Sequence, residues 1–305
     1  MDAFKIKNMK TRKIYFVFTC LLYGLQTEAQ DQLLQSLKDS LAAAPRTEYV
    51  TGTFKALYIV NMKTIEAPAA GALNVEIQHR FGALNSGSYE LFGLDNATLR
   101  LGLDYGISDR LSVGIGRSSF QKTFDGYLKY KLLRQSDNNG RMPLSVSILS
   151  SMSYYTQHFP DKTYLNSTYR LAYTTQVLMA RKFSRLFSME LTPTLIHYNL
   201  VPTSADQNNV LALAGGARMK ISRRMSINVE YDYLFPNQVV STPVNNSLSL
   251  GWDIETGGHV FQLVFSNSQS MTETQYITQT PGTWSHGDIY FGFNISRNFN
   301  LKVHK

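Results

Sequence analysis

The sequence predicts an all-β protein: a transmembrane antiparallel β-barrel of about 12 strands, with a short N-terminal helix or extension. Three observations carry the prediction. Apolar and other side chains alternate with a period of two in about 12 successive runs, so each run has one apolar face. Between the runs, tight polar turns and longer polar segments nearly alternate. The apolar faces carry almost no charge, and the opposite faces are rich in Gly, Ser and Asn.

The strands follow in order. Leu73, Val75 and Ile77 alternate with Asn74, Glu76 and Gln78. Leu99, Leu101, Leu103 and Tyr105 alternate with Arg100, Gly102, Asp104 and Gly106. Leu111, Val113 and Ile115 form the next face, and Leu128, Tyr130 and Leu132 the one after. Further runs cover 143–155, 167–182, 186–198, 209–221, 225–235, 246–255, 259–267 and 287–299. Many reach the roughly 9–11 residues that cross a bilayer at a tilt. Tight connections are Ser108-Asp109-Arg110, Ser184-Arg185, Ser222-Arg223-Arg224 and Thr256-Gly257-Gly258. The long ones are 82–96, 156–166, 199–208, 236–245 and 268–286, while 119–122 is short for a long loop and 134–142 long for a tight turn. Outer-membrane barrels have short periplasmic turns and longer external loops, so this order places both termini in the periplasm.

A soluble β-sandwich also alternates, with its apolar face as core. The barrel is favoured by the uncharged apolar faces and by small polar residues where a soluble surface would carry Lys and Glu. Aromatics near strand ends (Phe81, Tyr105, Tyr154, Phe187, Tyr198, Tyr233, Phe235, Phe291 and Phe299) suit interfacial girdles.

Composition agrees. Charged residues are 17% of the 305, against roughly 25% in soluble domains. Mean hydropathy is −0.19, which excludes a helical membrane bundle. The lone cysteine, Cys20, excludes a disulfide framework and Cys-based metal sites. Net charge is +8; five positive and two negative charges lie in residues 1–29, and the remaining +5 forms no basic run. Nucleic-acid binding is therefore not expected.

Residues 1–29 read as a secretory signal peptide: Lys5, Lys7, Lys10, Arg12 and Lys13 precede an apolar run Ile14–Leu25, and Ala29 supplies a small residue for cleavage before Gln30. A start at Met9 would make that peptide more ordinary. The run of 12 is short of the roughly 20 residues a membrane anchor needs. Lipidation at Cys20 would follow the poorly suited Thr19 and cut the apolar run in half. Residues 30–70 are then a periplasmic segment or a lumen plug. Within them 31–43 is a helical candidate with Leu33, Leu34, Leu37 and Leu41 on one face and Pro45 after it. Val50–Val60 alternates like a strand, but 12 strands after residue 70 already satisfy the even-number rule. The barrel spans 71–299 and the tail 300–305.

Several pieces carry a family likeness: Thr53-Phe54-Lys55, Ile65-Glu66, Gly71-Ala72-Leu73, His79-Arg80-Phe81-Gly82, Phe92-Gly93-Leu94-Asp95-Asn96-Ala97, Tyr105-Gly106-Ile107 and Val113-Gly114-Ile115-Gly116-Arg117-Ser118. They resemble a family of outer-membrane β-barrels, mostly from Bacteroidota, known only as a domain of unknown function. The likeness is clearest over 50–135. It departs at Leu57-Tyr58, before Ile59-Val60-Asn61, where the family tends to carry an arginine. It implies fold and location and no catalytic residue.

If the apolar positions face lipid, the lumen is lined by Glu76, Arg80, Arg100, Asp104, Asp125, Lys129, Lys131, Arg170, Glu190, Arg218, Lys220, Glu230, Asp232, Asp253 and Asp288. This near balance of sign argues against strong ion selectivity. A barrel of 12 strands lies between filled small barrels and open porins. The leading expectation is a narrow polar conduit for passive or facilitated passage of small solutes. The competing one is a packed, non-conducting structural or adaptor barrel that holds a protein partner through its loops or N-terminal segment. Outer-membrane lipid is the expected surrounding in both.

No enzyme, cofactor or metal is expected. None of the histidines after residue 29 (His79, His158, His197, His259, His286 and His304) stands two residues from a serine on its own strand face, although His197 has neighbouring strands beside it. No His or carboxylate cluster has ligand spacing, and Gly114-x-Gly116 lacks the third glycine of a dinucleotide loop. The chain is too short for a plugged transporter of about 22 strands, and an autotransporter is not expected, since only about 40 residues lie between the export signal and the first clear strand. Across the closure seam, Arg80 is expected to meet Asp288, with Asp104 or water as the alternatives.

Overall fold

The computed structural model describes residues 31–39, 47–136 and 142–301, in two units, Met1–Glu48 and Tyr49–Lys305. The signal-peptide reading and residues 302–305 of the tail lie outside the described residues. In the first unit residues 31–39 are helical (α1), with Leu33, Leu34 and Leu37 exposed; Leu41 is outside the described residues.

The second unit is a barrel of twelve strands: β1 Ala72–Ala83, β2 Ala97–Gly106, β3 Leu111–Ser118, β4 Thr123–Leu133, β5 Ser145–Tyr155 and β6 Leu171–Lys182. These are followed by β7 Phe187–Tyr198, β8 Asn209–Lys220, β9 Met225–Leu234, β10 Ser247–Glu255, β11 His259–Ser266 and β12 Tyr290–Asn300. A four-residue helix, α2 (Glu273–Tyr276), lies between β11 and β12. Each strand pairs antiparallel with its sequence neighbour, and β12 returns to β1 from Ala72↔Asn300 to Arg80↔Gly292, closing the sheet. Closure leaves no unpaired edge, which a bilayer would not tolerate.

Exposure settles the choice between sandwich and membrane barrel. Arg80 and Arg100 are 0% and 1% exposed, whereas Leu101 between β1 and β3 is 52% exposed. A soluble protein buries in the opposite sense. Along β7 exposed and buried residues alternate from Phe187 to Ile196, with Met189, Leu191 and Leu195 outward and Glu190, Thr192 and Thr194 inward. Outward aromatics stack near the seam: His79 on Phe293 at 4.9 Å, and Phe291 against Phe81 and Phe265 at 5.8 and 5.3 Å. Tyr198 departs from the expected girdle. It has inward parity, and its hydroxyl donates to the Thr274 carbonyl at 2.5 Å.

Two long segments outside the sheet fill the barrel. Residues 53–65 are not a thirteenth strand; Tyr58 bridges Lys63 in a tight hairpin inside the wall. Residues 267–280, expected as the start of an external loop, fold inward and are almost entirely buried. That arrangement corrects the expectation of 268–286 as a long external loop; its reason is that Tyr276 and Ile277 pack on an inward apolar patch of Ile196, Val210 and Ala212.

Candidate functional site

The period-two pattern that turns leucines outward delivers charged and amide side chains to the lumen. Small residues beside them provide room. A Cβ on Gly116 would stand 2.4 Å from the Arg100 guanidinium, and one on Gly114 would stand 2.2 Å from the Tyr127 ring. Gly216 and Gly251 likewise make room for Ile59 and Val60 of the inner hairpin, from which a Cβ would stand 2.2 and 3.0 Å.

The hairpin 53–65 turns at Ile59–Met62, where the Ile59 N–H donates to the Met62 carbonyl at 2.8 Å and Thr64 N–H to Leu57 at 2.8 Å. The N–H groups of the turn point at the wall. Val60, Asn61 and Met62 donate to the Glu230 carboxylate at 3.0, 3.0 and 2.8 Å, and Ile65 donates to Glu190 at 2.7 Å. Wall amides complete the cradle: Gln262 donates to the Ile59 carbonyl and Asn294 to that of Val60. The Lys129 ammonium donates to the carbonyls of Thr64 and Glu66. Apolar side chains bind the same hairpin, with Phe54, Ile59, Val60, Met62 and Ile65 clustered with Leu149, Leu178, Ala214 and Val264. Backbone groups with no sheet partner are thus satisfied by lumen side chains.

From the other rim, the 267–280 segment reaches inward. Gln275 donates to Thr123 at 2.9 Å, and Thr278 also meets Tyr198, at 2.6 Å. Its Glu273 forms a buried ion pair with Lys63 of the hairpin. The Lys63 ammonium also lies 5.2 and 4.8 Å from the centres of the Tyr58 and Tyr127 rings. The two segments, entering from opposite rims, meet there.

The wall charges form local sets. Arg100 pairs with Asp125 and donates to the Tyr58 hydroxyl at 3.1 Å. Tyr127 donates to Asp104 at 2.6 Å. Arg218 bonds Ser226 and Glu255 at 3.0 and 2.7 Å, and Asp253 is 3.9 Å away. Eleven of the sequence-predicted positions are buried on the strands: Glu76, Arg80, Arg100, Asp104, Asp125, Lys129, Glu190, Arg218, Glu230, Asp232 and Asp253. Lys131 and Lys220 are half-buried where β4 and β8 end; Lys131 lines a 370 Å³ cavity at the tight-turn mouth with Asp109, Arg134 and Glu66.

Two positions are corrected. Arg170 ends a 3-10 turn before β6, and its guanidinium donates to the carbonyls of Gln157 and Tyr155 at 2.7 and 3.2 Å in the outer loops. Asp288 precedes β12, because Gly287 at φ 75° interrupts the extended chain. Asp288 accepts from the Thr283 N–H and from Asn85 at 3.0 and 2.6 Å, and these bonds hold its carboxyl below the usual range. The expected Arg80–Asp288 contact is therefore absent. Arg80 does reach across the seam, but to Asn294 on β12, at 2.8 Å, and with its other arm to Asn61 of the hairpin, at 2.8 Å. Asp104 is not its partner either.

Sequence reasoning missed Lys63, Glu273, Asn61 and Tyr58. The alternation over 50–60 marked the hairpin as unusual, but nothing local marked Glu273. His197 meets Asn209 at 2.7 Å on β8 and Tyr173 on β6, rather than a serine. At the long-loop rim a 660 Å³ basin is lined by Tyr155, Phe159, Tyr164, Tyr169, Lys162 and Gln279 among others. Asp206 ties its wall together: despite burial, the N–H groups of Ser241 and Val240 and the Thr203 hydroxyl hold its carboxyl well below the usual range.

No curated protein matches the chain. Among solved structures the chain is similar to the NanC porin, at 8% identity and a TM-score of 0.47, covering 76% of this chain and 100% of that one. It is similar to the KdgM porin at 9% identity and 0.45, covering 74% and 99%. It is also similar to Omp33 of Acinetobacter baumannii, at 8% and 0.41, covering 78% and 100%. One family's sequence profile matches residues 54–299, from the inner hairpin to the last strand, and the chain therefore belongs to the family described as a membrane bound beta barrel domain (DUF5777).

Proposed function

We propose that this chain is an exported outer-membrane protein whose barrel passes small polar solutes by a passive or facilitated route. In the conformation described, residues 53–65 and 267–280 act as plugs that hold it shut. One observation carries this reading: the wall is complete without the plugs. β1 bonds directly to β12, and neither plug lends a strand to the sheet. Withdrawing the plugs leaves a twelve-strand wall with a polar, charged inner face, which is what a water-filled passage requires. Membership of a membrane-bound barrel family and the export signal read in residues 1–29 support the location. The reading assigns no catalytic step and no cofactor.

The test is conductance in planar bilayers. The full chain is expected to be nearly silent, and a variant lacking residues 30–66 to show discrete openings. Heat-dependent gel mobility establishes that the variant is a folded barrel. A folded deletion variant that stays silent even when residues 268–280 are removed as well would overturn the conduit and leave the structural or adaptor barrel as the function.

A further inference from the structure

The two rims differ in charge. Among the described residues the tight-turn rim (106–111, 131–136, 181–187, 220–225, 255–259 and 297–301) carries ten Lys or Arg and two Asp or Glu. The long-loop rim (83–97, 118–123, 155–171, 198–209, 234–247, 266 and 281–290, without the inward segment 267–280) carries three and five. The tight-turn rim is therefore the strongly cationic end of the molecule.

Its cations are presented rather than neutralised. Arg110, Arg185, Arg223 and Arg224 are exposed, and among the described residues none of them forms an ion pair. Bulky apolar side chains stand in the same turns: Ile107, Phe183, Leu186 and Ile221 are each about half exposed. Just inside the rim, outward-facing Arg181 and Arg297 lie 5.1 and 4.8 Å from the ring centres of Phe183 and Phe299. Apolar groups held in water at a turn are costly. At a bilayer surface they enter the acyl layer, while guanidinium groups beside them reach the phosphates. Arginine suits phosphate because its planar fork donates two parallel hydrogen bonds.

We propose that the tight-turn rim is a docking surface for the headgroups of anionic phospholipids in the leaflet it faces, with Arg185, Arg223 and Arg224 as phosphate-binding side chains. The interleaved apolar residues select a lipid as the phosphate source, since free phosphate would engage the arginines and leave Leu186 and Ile221 in water. The excess of positive charge selects anionic over zwitterionic lipid, by up to about fivefold per cation near the surface. This surface serves the barrel whether or not its lumen conducts.

The experiment uses the full chain in nanodiscs of phosphatidylcholine with and without phosphatidylglycerol. The headgroups retained after detergent extraction and the temperature at which the folded gel band is lost are both read. Several-fold enrichment of phosphatidylglycerol and a higher melting temperature in its presence are expected. Both effects should be lost in R185Q/R223Q/R224Q and kept in K122Q/K162Q, which alters the other rim. The substituted arginines lie in exposed turns, and the folded gel band shows that the barrel survives. Equal retention of the two lipids, enrichment that survives the triple substitution, or equal loss in both variants would overturn the proposal. Inorganic phosphate that raises the melting temperature as much as phosphatidylglycerol would also overturn it.

Discussion

Lys63 and Glu273 form a buried ion pair between two segments that enter the barrel from opposite rims, so each segment holds the other. Both side chains are nearly inaccessible to water, at 4% and 3% exposure. Removing one member of such a pair leaves an uncompensated charge, at a cost of about 3–5 kcal/mol. Lys63→Met is therefore expected to raise channel opening in planar bilayers well above that of the parent. K63M/E273L, which removes both charges, should open less often than K63M alone. If K63M is as silent as the parent, the pair does not hold the barrel shut.

Glu230 is the anchor of the hairpin turn, since three consecutive N–H groups converge on its carboxylate. Hydrogen bonds to a charged acceptor contribute about 1.5–3 kcal/mol each. Glu230→Ala should speed hydrogen exchange at Val60, Asn61 and Met62 by at least about tenfold, with little change in the strand amides. Unchanged protection at those three positions would show that apolar packing alone holds the turn.

An opened lumen should favour cations. Among the described residues the strand side chains buried inside the wall include seven carboxylates and four Lys or Arg. The sequence alone suggested near balance, but Arg170, Lys131 and Lys220 lie at or beyond the rims. Rim charges face water and are screened within about 10 Å, whereas charges in a narrow lumen are screened less. The reversal potential of the 30–66 deletion in a KCl gradient is expected to have the sign of potassium selectivity and to move toward zero in E76Q/D232N. A chloride-directed potential would contradict the count.

Asp206 gives a pH dependence. Its carboxyl is held below the usual range by donors from 240–241 and Thr203. Because the folded value lies below the unfolded one, this stabilisation is fully present above the unfolded value of about 3.9 and is lost as pH falls toward the folded value. Amide exchange in 199–208 and 236–245 should therefore rise below about pH 4 in the parent. In Asp206→Asn it should already be raised at neutral pH and depend much less on acid. An acid response equal in the two proteins would assign the effect to other carboxylates.

The sequence by itself determined the wall. A period of two is a property of extended backbone, so the leucines of 99–105 fix which way Arg100 and Asp104 point without reference to any other strand. The run read as 186–198 is β7, Phe187–Tyr198, and three of the four tight turns fall where Ser and Arg interrupt alternation, the fourth at Thr256-Gly257-Gly258. Periodicity has no information about depth or about where a strand stops. Asp288 shares inward parity with β12 yet belongs to the preceding turn, and Arg170 belongs to the loop before β6. Only the tertiary structure decided what fills the lumen. Residues 60 and 294, 60 and 230, and 63 and 273 are separated by about 170 positions or more. Their contacts exist because closing the sheet brings β9, β12 and the inward segments around one axis. Glu273 is one acidic residue in a polar loop until that closure places Lys63 beside it.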